Sequence, residues 1–327
     1  IQAMYNIVDS YFVGQFSSDG LTALSIVYPV QLIVTAIAVG TGVGVNTLMS
    51  RYDGQGNHHL ADRTAGTGTV LALISWLIFA VLSGLLMRPI AAISTESSSV
   101  ADLAVTYGTI VCVGSPGVFL ESTWSKVHQA RGNMRLPMLA QIAGAAANIV
   151  LDPILIFGLG PVPAMGIAGA ALATGIGQLL SLCVYLFVYV RTELPIRLRR
   201  SCLRPDAALD GKLYAIGVPA ILNLALPSLL VTFLNGLLAG FSQSYVVVLG
   251  IYYKLQTFLY LPANGIVQGM RPLIGYNYGA KQHARVKKLY ELTLIMSAAI
   301  RAAGTVICLF ASRPRMQLFT SNPETVA

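Results

Sequence analysis

Five stretches of this chain contain no Asp, Glu, Lys or Arg: residues 20–50, 64–87, 103–120, 153–190 and 213–253. A bilayer-spanning helix needs about 20 mainly apolar residues to cross a hydrocarbon core of about 30 Å. Each stretch meets that requirement, and the last two are long enough for two crossings apiece. Only 10% of the 327 residues are charged, against roughly 25% in soluble domains, which excludes a soluble globular fold. In lipid every backbone polar group must be bonded internally, and runs of this length do so as helices. The fold class is therefore all-α, a polytopic membrane protein.

A further run of bilayer-spanning length, Ala140 to Gly158, has Asp152 as its only charge, and its segment Asn148-Ile149-Val150-Leu151-Asp152-Pro153 places a carboxylate and an amide among small apolar residues. An ionised carboxylate at mid-bilayer costs at least ~2.5–3.5 kcal/mol, so such groups normally face a polar cavity and serve transport or proton relay. Asn148 precedes Asp152 by one turn and shares its face. Pro153 has no N–H, which frees the Ile149 carbonyl. A carboxylate, an amide and a free carbonyl thus gather at one place. The competing structural reading is that Asp152 only caps a kinked helix and Asp9 bonds a neighbouring Ser or Tyr.

The hydropathy pattern predicts a partial first helix, then helices over about 21–50, 64–93, 103–127, the Ala140 span, 167–190, 213–240, 245–276 and 289–311. The first residues read as the second half of a helix, so the chain is expected to begin inside a longer protein. The glycines Gly40, Gly42 and Gly44 form G-x-G-x-G, but no strand precedes them and no Lys-Ser/Thr follows, so they read as close helix packing. Cys112, Cys183, Cys202 and Cys308 lack metal or disulfide spacing and read as packing residues. His58, His59, His128 and His283 are expected in or near cytoplasmic loops.

Nearly all Lys and Arg fall in alternate loops. Arg51 and Arg63, then Lys126, Arg131 and Arg135, then the basic interval from Arg191 to Lys212, then Arg271 to Lys288 follow the even-numbered predicted helices. The opposite loops hold Arg88, Arg313 and Arg315. The positive-inside rule makes the basic loops cytoplasmic. The net charge of +8 is thereby a matter of topology, with no nucleic-acid partner implied.

The two ends of the chain are related by an offset of 225 residues (279 − 54), which pairs Gly54 with Gly279, Gly40 with Gly265, Gly44 with Gly269, and Arg88-Pro89 with Arg313-Pro314. Tyr28 and Gln31 pair with Tyr253 and Gln256. The matched helices run in the same direction, which describes a parallel repeat about an axis along the membrane normal. The longest polar interval, from Arg191 to Lys212, divides the lobes, so residues 1–200 form the first lobe and 201–327 an incomplete second. About nine of twelve helices are present, and about three are expected beyond the C-terminal end.

The segments IVDSYFVGQ, SRYDGQGN, QARGN, NIVLDPILIFG, GIAGAALAT and QGMRPLIGYNYGAK together resemble the multidrug and toxic compound extrusion (MATE) family in its bacterial branches. The resemblance implies a twelve-helix antiporter of two pseudo-symmetric lobes in the bacterial inner membrane. It would export cationic or amphipathic small molecules in exchange for H⁺ or Na⁺, as a monomer without cofactors. The family's first-lobe cation site falls on Asp9, Asn148, Asp152 and Thr174. Two carboxylates sharing a buried site disfavour double ionisation, so cation entry would neutralise them and bias the lobe's conformation. Some members carry a seventh-helix Glu, which PAILNLALPSLL lacks, and others a tenth-helix Asp, which lies beyond the end of this chain, so the first-lobe site is favoured.

Tyr28, Gln31, Glu121, Tyr253, Lys254 and Gln256 are candidates for the substrate cavity, with helix packing the alternative for the Tyr and Gln pairs and a polar helix contact the alternative for Glu121. Lys254 and Arg301 are isolated charges that could equally form ion pairs or snorkel. A lipid-linked oligosaccharide flippase is the alternative function, but it should show several cavity cations for pyrophosphate. An intramembrane enzyme is disfavoured because no nucleophile–base pair is visible.

Overall fold

The computed structural model describes residues 2–158, 163–191, 200–203, 206–239 and 243–310. Tyr253, Lys254 and Gln256 lie on a described helix, but their side chains fall outside the described set. Secondary structure among the described residues is helical throughout. In chain order the helices are α1 (Gln2–Phe16), α2 (Ser18–Gly54), α3 (His58–Ser94), α4 (Ser98–Val113), α5 (Pro116–Ala130), α6 (Arg135–Phe157), α7 (Ile167–Arg191), α8 (Ala207–Ala239), α9 (Gln243–Gly279) and α10 (His283–Phe310). A single 3₁₀ turn, Arg200–Leu203, precedes α8.

Among the described residues six helical segments are long and apolar enough to cross a membrane, and α4 with α5 makes a seventh if the pair is taken as one bent span. The 15 residues of α1 are too few for a full crossing. The single helix expected over 103–127 is in fact this pair, bent by 41°. Its cause is local. Pro116 cannot donate to the preceding turn, while the Ser115 hydroxyl donates to the Cys112 carbonyl at 2.7 Å and closes the end of α4.

Other helix ends are set by short polar side chains. Asn57 accepts from the Leu60 N–H at 3.1 Å, and Ser97 from the Val100 N–H at 3.4 Å, satisfying donors that the first helical turn leaves free. Gly158 ends α6 in the left-handed region at φ 75°, which a residue without Cβ adopts at little cost.

The chain divides into two compact units. The first comprises residues 1–49 and 57–225, and the second residues 50–56 and 226–327. The division falls at Ala225 within α8, whereas the sequence placed it in the polar interval at 200.

The first unit is held together by small residues and a few large buried ones. Val13, Val27, Met87, Ala104, Tyr107 and Ile156 belong to one core cluster joining α1, α2, α3, α4 and α6, with α7 adding Ala170. Large apolar side chains such as Leu77, Val81, Leu85, Phe187 and Val190 are exposed, as lipid contact requires. The G-x-G-x-G run is a packing surface. A Cβ at Gly40 would strike Ile221, one at Gly44 would lie 2.6 Å from the Leu213 carbonyl, and one at Gly42 would lie 2.8 Å from Lys126. The buried start of α8 and the side of α5 therefore rest on bare backbone of α2. Arg131 closes the end of α5 against α3 through Asp62, Nη2 to Oδ1 at 3.0 Å.

The second unit contains a direct trace of the internal repeat. A Cβ at Gly54 would run into the Tyr276 carbonyl, and one at Gly279 into the Arg51 carbonyl. Arg51 and Tyr276 are themselves separated by the repeat offset. The contact is thus reciprocal, residue for residue, as a two-fold relation between the ends of α2 and α9 demands. The Arg51 guanidinium also lies over the Tyr278 ring at 5.1 Å, a cation–π contact. Gly54→Val and Gly279→Val should each lower the thermal unfolding midpoint in detergent, by an equivalent of about 1–3 kcal/mol and by similar amounts. Unequal effects, with one substitution silent, would contradict the reciprocal contact.

Candidate functional site

The polar residues of α6 recur at helical spacing. Gln141, Asn148 and Asp152, with Gly144 and Ala145 between them, form one stripe. On α7 the matching stripe is Thr174, Gly177, Gln178, Ser181 and Tyr185. These two helices pack more extensively on each other than any other pair among the described residues.

Their close approach comes from glycine. A Cβ at Gly177 would sit 2.7 Å from the Gly144 carbonyl and 3.2 Å from Asn148 Cβ, and one at Gly144 would strike Ser181 Oγ. The Ser181 hydroxyl donates across the crossing to the Ala140 carbonyl at 2.9 Å. This contact brings Asn148 beside Thr174. Asn148 Nδ2 donates to Asp152 Oδ1 at 3.3 Å and to Thr174 Oγ1 at 3.4 Å.

The fourth member comes from the N-terminal helix. Phe12 and Phe16 of α1 meet Phe157 edge to face, with centroids 6.2 and 6.0 Å apart, which docks α1 on α6. Asp9 is thereby close enough to act electrostatically on Asp152. Asp9, Asn148, Asp152 and Thr174 are 4%, 2%, 0% and 7% exposed, so two carboxylates share a site from which bulk water is excluded.

Three oxygens at this site, Asp9 Oδ1, Asn148 Oδ1 and Asp152 Oδ2, are buried without a hydrogen-bond partner. Buried polar atoms are ordinarily bonded, and each exception calls for an explanation such as an ion. All the donors are oxygens: carboxylates, an amide and a hydroxyl. That set suits a proton or a hard monovalent cation and does not suit soft metals. Among the described residues no group of three or more His, Cys, Asp or Glu gathers to hold a metal.

On the side of Asn148 away from Asp152, a cavity of about 540 Å³, open mouth included, lies between α5, α6 and α7. It is lined by Glu121, Gln141, Asn148, Thr174, Gln178 and Ser181, with Val118, Gly144, Ala145 and Gly177. Glu121 Oε1 accepts from Gln141 Nε2 at 3.4 Å and from the Tyr185 hydroxyl at 3.5 Å.

The four expected cation-site residues thus lie together. Of the expected cavity residues whose side chains are described, Tyr28, Gln31 and Glu121, Glu121 alone lines the described cavity. Tyr28 is 51% exposed, and Gln31 donates to the Tyr107 hydroxyl at 3.2 Å. Arg301 is exposed on α10. His128 lies in the last turn of α5, beside the turn at Arg131, in keeping with a position near a loop. It is 1% exposed and stacked on Tyr185, with centroids 5.5 Å apart, because the last turn of α5 is covered by α7. Gln141, Gln178 and Tyr185 were not singled out from sequence, although their spacing to Asn148, Thr174 and Ser181 on otherwise apolar helices was a readable signal.

The sequence profile of the MatE family matches residues 1–154 and 219–327. Among characterised proteins, the FAD transporter of Shewanella oneidensis is 28% identical over 326 residues, covering 98% of this chain and 71% of that protein. The multidrug export protein MepA of Staphylococcus haemolyticus is 27% identical over 327 residues, covering 100% of this chain and 71% of MepA. Among solved structures, a MATE in the bent conformation superposes with a TM-score of 0.92 at 22% identity, covering 99% of this chain and 72% of that one. An outward-facing multidrug resistance MATE transporter superposes with a TM-score of 0.88 at 22% identity, covering 98% and 70%.

Proposed function

This chain belongs to the MatE family of efflux transporters, and we propose that it exports cationic or amphipathic small molecules by antiport with H⁺ or Na⁺. The observation that carries this reading is the buried pair Asp9 and Asp152, with Asn148 and Thr174 beside them and three oxygens left without partners. Empty of a cation, two carboxylates in one dry site repel each other. A cation arriving there removes that repulsion and ties α1 to α6 and α7. The ion-bound and ion-free lobes therefore prefer different helix arrangements, and the difference in affinity between them is the coupling free energy. Transport then requires that cargo favour the arrangement the cation disfavours. No cofactor enters the scheme. The basic loops are assigned to the cytoplasm by the positive-inside rule, and the working unit to a monomer in the bacterial inner membrane.

Similarity to MepA supports drug cargo. Similarity to the FAD transporter supports a second reading, an anionic dinucleotide as cargo. The described cavity is lined by a carboxylate and by no Lys or Arg, which favours the first. In everted vesicles loaded by the transporter, uptake of a fluorescent cation should accelerate when a pH or Na⁺ gradient is imposed and fall to the leak rate when both gradients are dissipated. Gradient-independent uptake would overturn the antiport reading, and gradient-driven movement of flavin dinucleotide in its place would establish the second.

A further inference from the structure

The cavity between α5, α6 and α7 is separate from the two carboxylates but shares a wall with them. Asn148 and Thr174 line it, and the same Asn148 amide donates to Asp152 on its other side. From Asn148 the cavity follows α6 back to Gln141, two turns or about 10 Å along the axis. It follows α7 from Thr174 through Gln178 to Ser181. Both directions lead away from the Gly158 end of α6 and toward the basic ends at Arg135 and Arg191.

Six of the ten lining residues are polar, on helices whose other faces are apolar. Polar groups at membrane depth are costly and are retained where they line a pathway or a water-filled space. Helix packing explains Ser181, which bonds two backbone carbonyls. It does not explain a carboxylate. Among the described residues Glu121 accepts hydrogen bonds from Gln141 and Tyr185 at 3.4 and 3.5 Å, near the limit and beyond the usual range of about 2.5–3.2 Å, with Lys126 acting on it electrostatically. A carboxylate so loosely bonded can exchange its partners for a passing cation. The charged or titratable groups around it are Lys126 on its own helix, whose Nζ donates to Gln129 Oε1 at 2.9 Å, Tyr185 on α7, and His128 stacked on that Tyr.

We propose that this cavity is the route by which the coupling cation leaves the Asp9–Asp152 site toward the basic face of the membrane, with Glu121 as a second, transient holding group. The ligand is a monovalent inorganic cation, H⁺ or Na⁺, passing Asn148 and Thr174 and then Glu121. The proposal rests on the antiport reading above.

The test compares Glu121→Gln, Glu121→Asp and Asp152→Asn with wild type in proteoliposomes, at equal reconstituted protein. Counterflux of the coupling cation during export of a fluorescent cation is followed by radioactive Na⁺ in one arm and by a lumenal pH dye in the other, which separates the two ions. Glu121→Gln keeps one acceptor oxygen, which suffices for Gln141 and Tyr185 because both donate to Oε1, but loses the charge. It should slow counterflux and export together, about tenfold at saturating drug, equivalent to about 1.4 kcal/mol. KM for the drug should not change, and Glu121→Asp should recover most of the rate. Wild-type counterflux in Glu121→Gln, with Asp152→Asn uncoupled, would sink the route and leave the antiporter standing. A raised KM with an unchanged saturated rate would assign Glu121 to cargo and equally overturn the proposal. If neither variant altered counterflux, the antiport reading would fall with it.

Discussion

Replacing Asp152 with Asn should reduce cation-driven export on the order of 100-fold, since coupling free energies reach about 3 kcal/mol, while leaving the protein folded. The amide is nearly isosteric, and Asn148 Nδ2 can still donate to the oxygen it retains. What disappears is the negative charge and the oxygen that no protein group satisfies, Oδ2. The charge pair with Asp9 disappears with it. Facilitated drug movement down its own gradient should persist, because nothing in the substitution blocks the helices from moving. Asp9→Asn should produce the same uncoupling, and the double variant little more than either single one, because two carboxylates serving one ion act as a unit. The decisive measurement is export of a fluorescent cation at matched expression, with and without the driving gradient. Full gradient-driven export in both single variants would end the coupling role for this site.

Replacing Gly177 with Leu should be the most damaging substitution outside the charged residues. Even a Cβ there would stand 2.7 Å from the Gly144 carbonyl, and backbone cannot step aside as a flexible side-chain tip can. The remaining Leu atoms must force α6 from α7 at the level of Asn148 and Thr174. Overpacking of this kind costs about 1–3 kcal/mol and occasionally more. The functional loss should exceed what that destabilisation explains, because the Asn148–Thr174 contact at 3.4 Å is already long and is lost with small displacement. Gly177→Ala, needing a smaller shift, should fall between. Thermal unfolding in detergent together with gradient-driven export checks both. A Leu variant with the wild-type unfolding midpoint and export rate would mean that the crossing is not as tight as its geometry indicates.

Much of the architecture was legible because lipid imposes a severe rule on sequence. Long uncharged runs have one structural answer there, so the ends of α7 and α9 lie close to those read from hydropathy, while α8 begins six residues before the reading of 213. The cost of burying charge likewise drew the eye to Asp152, and helical spacing put Asn148 on its face. The bend between α4 and α5 was less legible, since Pro116 in an apolar run can kink, end or pass through a helix depending on what packs beside it. The burial of His128 was not legible, because a helix end next to a basic loop reads as exposed until a neighbouring helix covers it.

The sequence by itself determined that this is an all-helical membrane protein with a two-fold internal repeat, and that a carboxylate and an amide share one face of α6. Local chemistry sufficed for that, because backbone satisfaction in lipid and helical periodicity act within single segments. Only the tertiary structure decided that Gly144 meets Gly177 and that Glu121 closes a polar cavity behind Asn148, whereas the grouping of Asp9 and Thr174 with Asp152 was already implied by the family resemblance. Those outcomes depend on which helix face meets which. Close packing of small residues fixes that choice over distances no local pattern encodes.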